Sequence, residues 1–129
     1  MHALNRILLV EDQRNIRTVT ELSLRAVGGF AVQSCSSGIE ALQAIPAFAP
    51  DLILLDSMLP GMDGAATLRA LRANPQTACI PVIFLTATAQ PHAIRELREL
   101  GALDVIVKPF DPMTLAETVK TIWTRYHDG

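Results

Sequence analysis

Several features that mark particular protein classes are scarce in this sequence. Aromatic residues make up 5% of the 129 positions, and the net charge of -2 lacks the basic excess of most nucleic-acid-binding domains. No apolar run approaches the roughly 18 residues of a membrane-spanning helix, and the N-terminal apolar segment is too short for a signal peptide. We therefore expect a cytoplasmic protein that contacts no membrane and binds no nucleic acid directly.

Cysteine is equally scarce. The two cysteines, Cys35 and Cys79, lie in apolar contexts and lack C-x-x-C spacing, which argues against a zinc or redox motif. We interpret both as free thiols of the core in a protein from a reducing compartment.

Aliphatic residues are plentiful, and 50% of the chain is hydrophobic. A chain of this length can bury roughly two-thirds of its unfolded surface in one core without disulfides. The sequence contains no internal repeat, low-complexity tract or linker. We expect a single domain over residues 1–129, with a core at about 6–126 and no second domain.

Five short apolar runs have the length and composition of strands. In chain order, strands 1 to 5 are predicted at Arg6–Val10, Phe30–Cys35, residues 51–56, Ile80–Leu85 and Asp104–Val107. In strand 3, Leu52 to Leu55 form a continuous apolar run, which is typical of a strand buried on both faces of a parallel sheet.

Helical patterns alternate with these strands. Helix 1 is predicted to end at Gly28-Gly29 and to turn one apolar face inward, formed by Ile16, Val19, Leu22, Ala26 and Val27. Ser37 and Glu40 have the spacing of a capping box that opens helix 2, and Pro46 and Pro50 are predicted to bound its end.

Three further helices are predicted. Helix 3 covers Ala65–Ala73 with Leu68 and Leu71 inward, and helix 4 covers Pro91–Leu100 with Gly101 as its C-terminal cap. Asp111 and Pro112 are a favourable start for helix 5. Its apolar face is predicted from Leu115, Val119, Ile122 and Tyr126.

Five strands that alternate with five helices predict an α/β fold, a doubly wound, five-stranded parallel sheet of the flavodoxin-like (βα)5 type with strand order 2-1-3-4-5. The topological switch point of that order lies between strands 1 and 3. Strand 1 is followed by Glu11 and Asp12, and strand 3 ends in Asp56. The topology therefore brings three carboxylates into one crevice.

Three carboxylates in a small pocket repel one another unless a cation neutralises them. Mg2+ suits this role because it binds a few protein oxygens and several waters. We predict Asp12 and Asp56 as direct ligands, Glu11 as a ligand partly through water, and the backbone carbonyl of Met58 as a further ligand after strand 3.

Lys108 follows strand 5 and Thr86 follows strand 4, so both are predicted beside the same pocket. A lysine, a metal and a hydroxyl group can together hold phosphoryl oxygens, and an aspartate can accept a phosphoryl group covalently. In this interpretation Asp56 is the nucleophile. Two simpler interpretations stay open: Asp56 caps the next turn, or Lys108 forms an ordinary salt bridge.

Four motifs occur in a fixed order along the chain: Glu11-Asp12, DLILLDSMLPGMDG around Asp56, FLTA at Thr86 and VKPF at Lys108. Together they resemble the receiver domain of two-component response regulators. The resemblance covers about Arg6 to Tyr126. It implies a cis peptide bond at Lys108-Pro109.

The resemblance also implies a phosphoacceptor switch rather than an enzyme. A sensor histidine kinase or phosphotransfer protein would donate a phosphoryl group to Asp56 in a Mg2+-dependent transfer, and the domain would promote its own phosphorylation and slow dephosphorylation. The face of helix 4, strand 5 and helix 5 would then signal to an effector protein or output domain, and a homodimer through that face is possible. We expect no output domain in this chain.

The sequence departs from the family pattern in several places. Val105 occupies the position, three before the lysine, where receivers usually have an aromatic switch residue, which leaves the coupling from Thr86 without its usual partner. Met58 and Thr88 flank the pocket without charge, and we hypothesise that Met58 shields an aspartyl phosphate from water. Arg95 and Arg98 on helix 4 are interpreted as a solvated face.

Three alternative functions share features with this sequence. A phosphatase of the haloacid dehalogenase type needs a second aspartate where this chain has Met58. A flavodoxin-like nucleotide or flavin binder needs Ser, Thr or Gly where this chain has Glu11-Asp12, which repels phosphate unless a metal intervenes. A degenerate receiver that acts as a phosphorylation-independent docking module is kept open by Val105.

Overall fold

Five parallel strands form one sheet in the order β2-β1-β3-β4-β5 in the computed structural model, which describes residues 3–128. The strands are β1 (Arg6–Val10), β2 (Ala31–Cys35), β3 (Leu52–Asp56), β4 (Val82–Thr86) and β5 (Asp104–Val107). The helices are α1 (Arg14–Leu22), α2 (Gly38–Phe48), α3 (Gly64–Ala73), α4 (Pro91–Glu99) and α5 (Leu115–Asp128). This architecture confirms the predicted fold and strand order.

The sheet separates two apolar layers because successive side chains of a strand point to opposite faces. Leu52 and Leu54 of β3 pack in one layer with Leu24 and with Val119 and Trp123 of α5. The other layer contains Ile53 and Leu55, together with Leu68 and Leu71 of α3. All five residues of β3 are buried, as expected for the central strand of a sheet covered on both faces.

The predicted inward face of the first helix is wrong. Val19, Leu22 and Val27 are 47%, 63% and 46% exposed, whereas Thr20, Ser23 and Leu24 are buried. The chain changes from α-helical to π-helical geometry at Ser23–Val27, and Leu24 enters the core from that segment. A pattern of three and four residues assumes one constant helical pitch, so it could not predict that Leu24 enters the core.

Helix α2 begins as the capping box predicts, because the Ser37 side chain accepts a hydrogen bond from the Glu40 backbone amide. Its last residue, Phe48, lies between Pro46 and Pro50, as predicted, and Pro46 is inside the helix. The helix stops at Ala49, whose φ of 52° is left-handed.

The last two helices differ in how firmly they are buried. Helix α4 has no fully buried residue, and Gly101 follows it with the predicted positive φ of 104°. In α5, Leu115, Val119 and Ile122 are buried as predicted, but Tyr126 is 52% exposed and lies outside the core. None of the helices in the described part of the chain is long and apolar enough to cross a membrane.

The two cysteines occupy different environments. Cys35 is a buried free thiol, as predicted, and burial together with the nearby Glu40 charge raises the pKa of this thiol to about 11. Cys79 is a free thiol on the surface, so its assignment to the core is wrong. Cys79 lies in a turn before β4, so the apolar residues next to it in the sequence were a misleading sign of burial.

Candidate phosphoacceptor and metal site

The carboxyl ends of four strands converge at one edge of the sheet. Val10 pairs with Leu55 in the β1/β3 ladder, and Asp56 pairs with Leu85 in the β3/β4 ladder. Thr86 in turn pairs with Val107, and the Lys108 amide donates to the Thr86 carbonyl at 2.7 Å. The parallel register therefore brings residues that are far apart in sequence to one crevice.

Three carboxylates form a cluster in this crevice. Glu11, Asp12 and Asp56 each offer one oxygen, and these oxygens lie within 4.8 Å of one another. Glu11 and Asp56 are buried, whereas Asp12 is exposed at the rim. The predicted convergence of these residues at the switch point is present in the structure.

Lys108 bridges the two buried members of the cluster. Its ammonium nitrogen Nζ lies 2.6 Å from Glu11 Oε1 and 2.9 Å from Asp56 Oδ2, and the lysine side chain is 14% exposed. The Lys108-Pro109 peptide bond that follows is cis. The salt bridge anticipated for Lys108 is therefore real and involves two acids.

The protonation of the site reflects both burial and charge. Burial and then the adjacent Asp56 carboxyl raise the pKa of Glu11 above its ordinary value, against the opposing effect of Lys108. Burial alone would lower the pKa of Lys108, but the hydrogen bonds and charges of Glu11 and Asp56 together outweigh it and raise that pKa. Lys108 therefore stays a cation at neutral pH.

Asp56 also accepts a hydrogen bond within its own loop. The Met58 amide donates to Asp56 Oδ1 at 3.0 Å, so the capping role considered from the sequence coexists with the contact to Lys108. The chain then turns back into α3, whose N-cap Asp63 accepts from the Ala66 amide at 2.8 Å.

Gly64 brings the start of α3 against the Asp56 backbone. A Cβ atom at Gly64 would lie 2.5 Å from the Asp56 carbonyl oxygen and 2.8 Å from the Ser57 Cα. Only glycine fits this close approach, a role that the sequence-based prediction of the site does not include. The Asp-Gly pair at the end of the motif was the available signal.

Thr86 and Met58 both line a groove beside the end of β3. Thr86 is buried at the end of β4, and its hydroxyl oxygen accepts from the Thr88 amide at 3.2 Å. The Met58 side chain is 74% exposed, next to Thr86 and Thr88 along an open groove between α3 and α4. A hydrogen bond from Thr86 to a phosphoryl group and a metal bond from the Met58 carbonyl stay predictions.

The donor set matches a hard divalent cation. All three clustered side chains offer oxygen, and the carboxylates outnumber the neighbouring ammonium by three to one. Mg2+ prefers such oxygen ligands and retains several waters, which the exposed position of Asp12 permits. The residues present therefore fit a Mg2+ ion.

A second buried carboxylate lies at the opposite end of the sheet. Asp104, at the start of β5, accepts from Arg98 of α4 at 2.8 Å and lies 3.7 Å from Arg125 of α5. The Val105 amide also donates to Asp104 at 2.8 Å. Arg98 is largely exposed, as predicted, but its bond to Asp104 was not foreseen because the partners belong to different elements.

Comparison with known proteins gives one consistent result. The response regulator receiver domain model matches residues 7–120. The transcriptional regulatory protein CseB of Streptomyces coelicolor is 38% identical over 124 residues, which cover 95% of this chain and 51% of that protein. The transcriptional regulatory protein GltR of Pseudomonas aeruginosa is 40% identical over 120 residues, 92% of this chain and 49% of the relative.

Solved structures agree with the sequence comparison. A putative response regulator from Chloroflexus aurantiacus has a TM-score of 0.85 at 36% identity, and the match covers 95% of this chain and 100% of that structure's chain. The chemotaxis response regulator CheY4 of Vibrio cholerae has a TM-score of 0.84 at 30% identity, and the match covers 93% of this chain and 99% of the CheY4 chain. This chain spans about half the length of CseB and GltR. It belongs to the response regulator receiver domain family of two-component systems.

Proposed function

We propose that this chain is a phosphoacceptor switch in which Asp56 accepts a phosphoryl group from the phosphohistidine of a sensor histidine kinase or phosphotransfer protein. One observation carries the proposal: Asp56 is a buried carboxylate held 2.9 Å from Lys108 within an acidic cluster. A buried aspartate that served only as a turn cap would not need two further acids and a lysine around it.

Receiver domains bind Mg2+ at an acidic pocket, and in this chain Asp12, Asp56 and the Met58 carbonyl would hold the ion. Glu11 would act partly through water, because it is fully buried and its Oε1 is engaged by Lys108 at 2.6 Å. When bound, Mg2+ would neutralise charge on the transferring phosphoryl group. Asp12 is the most accessible of the three carboxylates, so its removal should affect ion binding most directly.

The transfer forms one bond and breaks another. A carboxylate oxygen of Asp56 attacks phosphorus, the P–N bond to the donor histidine breaks, and the histidine nitrogen keeps the electron pair and gains a proton. The raised pKa of Lys108 keeps its ammonium charged beside Asp56, where it offsets negative charge as the acyl phosphate forms. Thr86 would turn its hydroxyl from the Thr88 amide toward the new phosphoryl oxygens.

The phosphoryl group would be sensed on the face formed by α4, β5 and α5. Phosphorylation adds about -1.5 to -2 charge at one point, which is enough to reorder a neighbouring loop. Helix α4 has no fully buried residue and can therefore shift at low cost. Because Val105 replaces the usual aromatic residue, we infer that loop and helix shifts carry the signal to an effector protein or output domain, or to a second copy of the chain.

Intact-protein mass after incubation with a small phosphodonor tests the proposal. One added phosphoryl group is expected only with Mg2+ present, and Asp56→Asn should prevent the addition. Asp104→Asn is the matched control, since it removes another buried carboxylate and should leave phosphorylation intact. If the folded protein gains no mass from the phosphodonor or from a phosphorylated kinase domain, a phosphorylation-independent docking module becomes the better account.

A further inference from the structure

The Arg17 side chain contacts the backbone carbonyls of Glu11 and Asp12 rather than their carboxylates. The Arg17 guanidinium nitrogen Nη1 donates to the Glu11 carbonyl at 2.8 Å and to the Asp12 carbonyl at 3.3 Å. Arg17 lies one turn into α1 and is half-buried. One side chain therefore ties together the two consecutive residues that supply carboxylates from the end of β1.

The loop that carries these residues has few other restraints. The N-cap of α1, Gln13, forms no side-chain capping bond, and the first turn of the helix has no acidic residue. The Glu11 amide is fixed to the Cys35 carbonyl at 3.0 Å, and the Gln13 amide donates to Glu11 Oε2 at 3.2 Å. Both bonds hold Glu11, whereas the Arg17 bond reaches the Asp12 backbone.

We propose that Arg17 is a positioning residue for the metal site, which fixes the peptide between Glu11 and Asp12 and so directs the exposed Asp12 carboxylate into the cluster. This inference rests on the proposed Mg2+ site. Groups that orient metal ligands commonly change metal affinity by about 10-fold to 100-fold when they are removed. A residue that orients Asp12 only through its backbone should act near the lower end of that range.

Charge and positioning predict opposite effects, which makes the proposal testable. By charge alone, loss of an arginine near three carboxylates should tighten Mg2+ binding. By positioning, Arg17→Met should weaken it about tenfold, since methionine keeps an unbranched stem but has no donor. Arg14→Met, an exposed position in the first turn of the same helix, is the matched charge control. Arg17→Lys retains a donor and should recover most of the affinity.

Calorimetric titration with Mg2+ alone measures these affinities, and phosphorylation by a small phosphodonor at graded Mg2+ gives a second readout. Arg17→Met should need more Mg2+ yet reach the wild-type rate at saturation. Binding in Arg17→Met that equals wild type, or tightens as in Arg14→Met, would overturn the positioning role. A rate that stays low at saturating Mg2+ would also overturn it, because that result indicates general damage. A wild-type protein that binds no Mg2+ would instead refute the proposed function, and the inference with it.

Discussion

Asp56 and Asp104 are both nearly buried carboxylates bonded to cations, but the surrounding charges differ. Asp56 shares one ammonium, from Lys108, with Glu11 and lies in a cluster that also includes Asp12. Asp104 forms ion pairs with two guanidinium groups, those of Arg98 at 2.8 Å and Arg125 at 3.7 Å. Acid is in excess at the first site, and base is in excess at the second.

This difference separates a site that can take a ligand from one that is already complete. At Asp56 the negative charge exceeds what Lys108 can neutralise, so a further cation is favoured. At Asp104 the carboxylate is matched by arginines whose side chains are 58% and 59% exposed, and water solvates the remaining positive charge. Burial of an aspartate alone therefore does not identify a functional site, whereas the balance of charge around it does.

Lys108→Met should give the largest loss of stability. It leaves Glu11 and Asp56 buried without their cation, and removing one partner of a buried ion pair costs about 3 kcal/mol. The free energy of unfolding, measured by urea titration without metal, should fall by this amount, and Mg2+ should restore part of it. A change below measurement error would mean that the ammonium is not what holds the cluster together.

Asp104→Ala should lower the free energy of unfolding by about 1.5 kcal/mol, which is less than the loss in Lys108→Met. The two arginines that contact Asp104 are mostly exposed and stay hydrated when the carboxylate is removed. The loss should be the same with and without Mg2+ in the same urea titration. A loss that Mg2+ reverses would contradict the assignment of Asp104 to a closed structural pair.

Asp12→Asn should change the free energy of unfolding by a still smaller amount, and in the opposite direction. Removing one exposed acid from the cluster relieves repulsion and should stabilise the metal-free protein by about 0.5 kcal/mol. Mg2+ at 100 times its dissociation constant should stabilise the wild type by about 2.7 kcal/mol, and the variant by much less. Thermal melts with and without Mg2+ would therefore rank the two proteins in opposite orders.

The pH dependence of unfolding in Glu11→Gln, compared with the wild type, tests whether the acid-rich crevice perturbs Glu11. The pKa of Glu11 is raised in the folded state, so its contribution to stability is fully present below its ordinary value of 4.5 and is lost as pH rises through the folded pKa. The unfolding free energy of the wild type, relative to Glu11→Gln, should therefore fall as pH increases from 4.5 into the neutral range. A difference that is constant with pH would show that Glu11 is not perturbed.

The acidic site was predictable because its residues are marked by local signals. Apolar runs that end in Glu11 and Asp56 indicate strands whose carboxyl ends meet at a switch point, and the parallel topology then joins them to Lys108. The Asp104 pair had no comparable signal. Arg98 and Arg125 come from α4 and α5, and ordinary helix charge patterns do not reveal which of them reaches across to β5.

The wrong inward face of the first helix has a local physical cause. Within α1, Thr20 is buried while Val19 and Leu22 are exposed, and the π-helical segment that begins at Ser23 then brings Leu24 into the core. The end of α2 was predictable, because it lies between Pro46 and Pro50, at the left-handed Ala49. Hydrophobic spacing assumes regular helical geometry, so it does not reveal a change of pitch within a helix.

A nuclear magnetic resonance titration with Mg2+ tests the central claim most directly, because it reports where the ion binds. Amide resonances of Asp12 and Met58 should shift in the wild type, whereas those of Val105 and Arg125 beside Asp104 should not. The same shifts should be absent in Asp12→Asn. Saturable shifts centred on Asp104, or no shifts at millimolar Mg2+, would contradict the assignment of the acid-rich crevice as the cation site.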